Sequence, residues 1–81
     1  MYIVSKHTIY NNEIEIIHYE EETDDSTYNK CFNCIMDEIE TYKDDNISVK
    51  IINKNFISVF GNGYLYGKYH IYNYEIHDFN I

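Results

Sequence analysis

The sequence predicts an α+β fold: one small domain, residues 1–81, in the order β-β-α-β-β-β, a mostly antiparallel five-stranded sheet with one amphipathic helix packed on one face. Three observations carry this. Apolar and polar residues alternate at the start of the chain and again from Ile47 onward. Between these regions, residues 26–43 repeat at helical spacing, and short Asn-rich or Gly-rich stretches separate the runs. With no proline and only Gly61, Gly63 and Gly67 among 81 residues, there is little room for linkers. A hydrophobic share of 44% suits a globular domain, whose core at this length is thin.

Met1–Tyr10 reads as the first strand, with Ile3 and Ile9 on one side and Tyr2, Val4 and Tyr10 on the other. Asn11-Asn12 turns the chain into EIEIIHY, residues 13–19, which makes a hairpin. From Ser26 to Lys43 the residues Tyr28, Phe32, Ile35, Ile39 and Tyr42, joined by Cys31, mark a helix of about four turns. Asp24, Asp25, Ser26 and Thr27 are all N-cap types at its start. Asp44-Asp45-Asn46 ends it. Strands follow at 47–52 and 56–60, then a turn at Gly61-Asn62-Gly63, then a strand from Tyr64 to Ile76 with Gly67 as a bulge.

With Asn62-Gly63 as a two-residue loop, Gly61 pairs with Tyr64 and Phe56 with Tyr69. Phe56, Phe60, Leu65, Tyr69 and Ile71 then form the side the helix covers. The opposite side collects Ile57, Val59, Lys68, His70 and the tyrosines Tyr64, Tyr66, Tyr72 and Tyr74. Tyrosine suits a half-wet surface, since its ring buries area while its hydroxyl keeps a partner. This surface has three readings: a stabilising aromatic sheet face, a protein contact or homodimer surface, and a base-stacking platform. The last needs a basic groove, and six lysines without arginine against fourteen acids argue against direct nucleic-acid binding.

The formal charge of −8 is uneven: residues 13–45 hold twelve of the fourteen acids against Lys30 and Lys43. A lobe of this kind attracts basic protein surfaces and steers association. Glu20, Glu21, Glu22, Asp24, Asp25, Asp37, Glu38, Asp44 and Asp45 are the candidate partner-binding acids, their carboxylates standing where phosphates would lie in a basic cleft. The plainer alternative is a solvated face that confers solubility.

Cys31-Phe-Asn-Cys34 has the spacing of dithiols and zinc knuckles, but falls inside the helix and among acids. His7, His18, His70 and His77 supply no second close ligand pair. The expectation is two ordinary reduced cysteines, no cofactor and no metal. No spacing sets a nucleophile beside a base, and Gly61-Asn62-Gly63 is not a phosphate-binding loop, so the chain is expected not to be an enzyme.

There is no signal-peptide pattern and no apolar run of the roughly 20 residues a membrane span needs, so a cytoplasmic protein is expected. Heavy use of Ile, Asn and Tyr points to an AT-rich bacterium, its phage or plasmid, another AT-rich virus or a protist. In composition alone the chain is similar to small acidic phage proteins that disable host defence or nucleic-acid enzymes, a likeness that transfers no residues. The leading expectation is a protein-binding inhibitor directed at a basic, nucleic-acid-handling host protein. A homo-oligomer built on the tyrosine face and a zinc or dithiol protein are the alternatives.

Overall fold

The alternation of the first twenty residues folds into a hairpin, β1 (Tyr2–Thr8) and β2 (Glu13–Glu20), in a computed structural model that describes residues 1–63 and 67–79. Ile9 and Tyr10 belong to the turn, which makes β1 shorter than the sequence implies. Asn12 takes the left-handed conformation there (φ 54°), which asparagine tolerates better than most residues. Val4 faces His18 while Ser5 faces Ile16, so Ile17 is an extra, bulged residue. This bulge lets β2 serve both sides of the sheet: Ile17 packs against the core, while Ile14 and Ile16 stay on the other face.

The helix α1 (Asp25–Tyr42) starts at an Asp24 N-cap closed by a reciprocal box. Asp24 Oδ1 accepts the Thr27 N–H at 2.9 Å, and Thr27 Oγ1 accepts the Asp24 N–H at 3.0 Å. Thr27 is buried, and its hydroxyl also donates to the Glu22 carbonyl at 2.8 Å, tying the acidic run to the helix. Thr27→Ala is expected to cost about 1–2 kcal/mol in urea unfolding, with Thr27→Ser retaining most of it. Cys31, Ile35 and Ile39 continue the buried stripe.

The remaining strands are β3 (Ile47–Asn53), β4 (Phe56–Gly63) and β5 (Gly67–Asp78). Among the described residues they complete a five-stranded antiparallel sheet of order β2-β1-β5-β4-β3, with the α+β architecture expected. Val4, Ile57, Val59, Tyr74 and Ile76 meet Cys31, Ile35 and Ile39 in the core.

The last hairpin differs from its expected form. Gly61, Asn62 and Gly63 are not its turn: they continue β4, with Gly61 opposite Tyr69 and Gly63 opposite Gly67. Residues 64–66, on which part of the expected hairpin falls, lie outside the described residues. Gly61 is spent on close packing, because a Cβ there would lie 2.5 Å from Cζ of Tyr69, whose ring crosses the strand. Gly67 has φ +74° at the start of β5, while the bulge falls further on, between the Phe60–His70 and Val59–Tyr72 pairs.

The pairing keeps Ile57 and Val59 with Tyr72 and Tyr74 on one face, as expected, but the helix covers this face and not the one that carries Phe56 and Phe60. Ile57 faces Tyr74 and Val59 faces Tyr72 under the helix, whereas Phe56, Ser58 and Phe60 face Glu75, Asn73 and His70 on the open side. Tyr69, expected in the core, is 56% exposed. The reason lies in strand length. β5 runs to Asp78, and Asn73, Glu75 and His77 share the open face with Phe56, making it too polar to bury, while Tyr74 and Ile76 enrich the other.

Candidate functional site

The register and the helix set sort the charges of this protein by side. Glu13, Glu15, Glu20 and Asp78 pair with Thr8, Lys6 and Tyr2 on the helix side of the sheet. The other nine acids outside β5 lie on α1 or its flanking loops, which leaves Glu75 alone on the open face among fourteen. With Lys6, Lys30 and Lys43 the helix layer nets −10. The open face carries Lys50, Lys68, His7, His70 and His77 against Glu75.

Within the helix layer the acids form two groups rather than one patch. Glu20, Glu21, Glu22, Asp24 and Asp25 gather at the helix N-terminus; Asp37, Glu38, Glu40, Asp44 and Asp45 gather at its other end. Asn29, Lys30 and Asn33 occupy the surface between, and the twelve-residue step from Asp25 to Asp37 spans roughly 18 Å. Glu21, Glu22, Asp25, Asp37 and Asp45 are exposed.

Four of the candidates also bond within the chain, Asp24 and Asp44 while remaining exposed. Asp24 caps the helix, Asp44 Oδ1 accepts the Asn46 N–H at 2.7 Å, and Glu20 Oε1 lies 3.0 Å from His18 Nε2. Glu38 is half-buried at the edge of the core: its Oε2 accepts the Tyr74 hydroxyl at 2.5 Å and lies 3.3 Å from Lys6 Nζ. Glu13, Glu15 and Glu40 are exposed members of the same layer that the candidate set leaves out, because a linear reading favours runs over register.

The aromatic candidates fare differently. Tyr64 and Tyr66 lie outside the described residues. Tyr72 and Tyr74 are not a surface: Tyr74 is 0% exposed under the helix and Tyr72 packs half-buried against the core. Their role is to fasten helix to sheet. The Tyr42 and Tyr74 hydroxyls are 2.8 Å apart, the Tyr74 hydroxyl donates to Glu38, and Lys6 Nζ sits 4.4 Å from the Tyr72 ring centroid. Burial, then the bonds to Glu38 and Tyr42, hold the Tyr74 hydroxyl far above its ordinary pKa of 10. Burial also pushes Tyr42 up to about 12, against the opposing effect of its bond to Tyr74.

Neither cysteine has the surroundings of a thiolate. Cys31 is buried, and both Cys31 and Cys34 are pushed above the usual thiol range, first by burial and then by neighbouring negative charge. Among the described residues no group of three or more His, Cys, Asp or Glu side chains is placed to hold a metal ion. No helix among them is long and apolar enough to cross a membrane.

One polar cluster on the open face escaped the linear reading. Ser5 Oγ is 2.8 Å from His77 Nε2, and Glu75 Oε2 is 3.8 Å from that same nitrogen. A relay for nucleophilic catalysis needs the carboxylate on the opposite ring nitrogen, so this trio is a structural cross-link between β1 and β5. Comparisons with protein-family models, curated proteins and solved structures find no match to this chain.

Proposed function

We propose that this protein is a non-enzymatic modulator that docks its acidic helix layer into the basic surface of a nucleic-acid-handling protein and so competes with the nucleic acid. The observation that carries the reading is the sorting of thirteen of fourteen acids onto one side of the sheet. Charge placed only for solubility has no need of one side. Concentrated as it is, the field is dipolar and orients an approaching basic partner. The source this reading fits is a phage or other mobile element acting on a host defence or nucleic-acid-processing protein.

The test spares Asp24, whose loss would also uncap the helix. Affinity capture from nuclease-treated lysate with wild type should enrich DNA-binding or RNA-binding proteins. Glu21→Lys, Glu22→Lys and Asp25→Lys together should lose them, and added wild type should release labelled nucleic acid from the captured partner. Equal capture by the charge-reversed protein at low salt would sink the proposal.

A further inference from the structure

We propose that the groove on the open sheet face is a binding site for a small organic cation, a primary ammonium carried on a short apolar body. The pairings of β2, β1, β5 and β4 set Ile16, Ser5, Glu75 and Phe56 in one row across four strands, about 14 Å from end to end. A groove of about 270 Å³ runs over this row, walled by Ile14 and Ile16 on one side and by Phe56 and Phe79 on the other. Its floor thus holds one carboxylate between apolar walls. The volume is just under the roughly 300 Å³ at which sites for drug-sized ligands begin, which limits the occupant to a smaller molecule.

The state of that carboxylate decides the class of ligand. The other polar groups of the groove are already engaged: Ser5 with His77, His7 Nε2 with Asn12 Oδ1 at 2.7 Å, and Asn73 Oδ1 with Ser58 Oγ at 2.8 Å. Glu75 differs from them. Among the described residues its side chain has no hydrogen-bond donor within reach, because His77 Nε2 stays 3.8 Å away and is held by Ser5. The Glu75 side chain is 46% exposed and so open to a donor arriving from solvent. An ammonium supplies the charge-assisted bonds this carboxylate lacks, while Phe56 and Phe79 cover the apolar body.

Other ligand classes meet a cost here. A neutral apolar molecule strips water from Glu75 and returns no partner. An anion meets Glu75 directly, and on approach it meets the field of a chain of charge −8. Lys50 and Lys68, the lysines of this face, give an anion no help, because they line a separate groove with Ser48 and Phe60. A small cation escapes these costs, and the same field draws it in.

The test is a titration of the whole chain, followed by amide NMR, with phenethylammonium and with phenethyl alcohol and phenylacetate as its neutral and anionic counterparts. Phenethylammonium should saturate with a Kd on the order of 1 mM and shift the amides of Ser5, Glu75 and His77. The alcohol should bind at least about tenfold more weakly, and phenylacetate should leave the spectrum unchanged. Glu75→Gln, which keeps the shape of the side chain, should weaken the ammonium about tenfold and leave the alcohol as it was. A purely structural role for Glu75 would not produce that split. The proposal is overturned if no saturable shift develops up to about 10 mM, or if the alcohol binds as well as the ammonium. Shifts confined to the acids of the helix layer overturn it too, as does a Glu75→Gln chain that binds like wild type. The groove lies across the sheet from the helix layer and the titration involves no basic protein, so its result leaves the acidic-layer reading untouched.

Discussion

Tyr74→Ala is expected to cost about 3–5 kcal/mol, a large part of the ~5–15 kcal/mol that separates folded from unfolded domains. Tyr74 is fully buried in the core cluster between β4, β1 and the helix, opposite Ile57, so alanine leaves a cavity there and removes the donor to Glu38. Tyr74→Phe separates the two losses. It keeps the ring and deletes the hydroxyl, leaving Glu38 and Tyr42 each short of one bond, for about 1–3 kcal/mol. Urea unfolding followed by circular dichroism checks both. A phenylalanine variant as stable as wild type would mean that the hydroxyl chain contributes nothing.

Stability should fall steeply above pH 10. In the unfolded chain Tyr74 ionises near its ordinary value of 10, while in the fold burial and the bond to Glu38 keep it protonated far higher. Below pH 10 both states hold the proton and the contribution is complete. Above it the unfolded state binds fewer protons, so stability declines by about 1.4 kcal/mol per pH unit for this one group. Tyr42, raised to about 12, adds to the decline in the same direction. Urea midpoints at pH 9, 10 and 11 should therefore fall progressively in wild type and less steeply in Tyr74→Phe. A slope unaffected by the substitution would assign alkaline loss to other groups.

The helix and the order of elements were legible in the sequence because they rest on local periodicity. The stripe through Cys31, Ile35 and Ile39 is where the spacing places it, and Asp24 is among the caps expected. Which face of the last hairpin meets the helix was not legible, because both alternating sets, Phe56 with Phe60 and Ile57 with Val59, are apolar enough to be buried. The pairing lies six residues from the expected one, an even shift that leaves Tyr72 and Tyr74 with Ile57 and Val59, and it is the helix that turns this face into the core side. The bulge at Ile17 is likewise invisible in a run of EIEIIHYE, yet it decides which isoleucines face the helix. The acidic layer was legible in part: the run at residues 20–25 stood out, but only pairing adds Glu13, Glu15 and Asp78 to the same side, and only the structure shows Glu38 engaged by Tyr74 and Lys6.

The strand order sets how this chain must be assembled. β1 lies between β2 and β5, so the earliest strand gains its second neighbour only from the last, and Phe79 N–H reaches back to the Met1 carbonyl at 2.8 Å. Until β5 arrives, the chain consists of two separate hairpins, β1-β2 and β3-β4, each too small to stand alone in water. The join is a contact between distant parts of the sequence, which places folding toward the slow end for small domains. During synthesis the nascent chain therefore carries two unclosed edges and a naked hydrophobic stripe on the helix, and the whole sheet closes in a single late step.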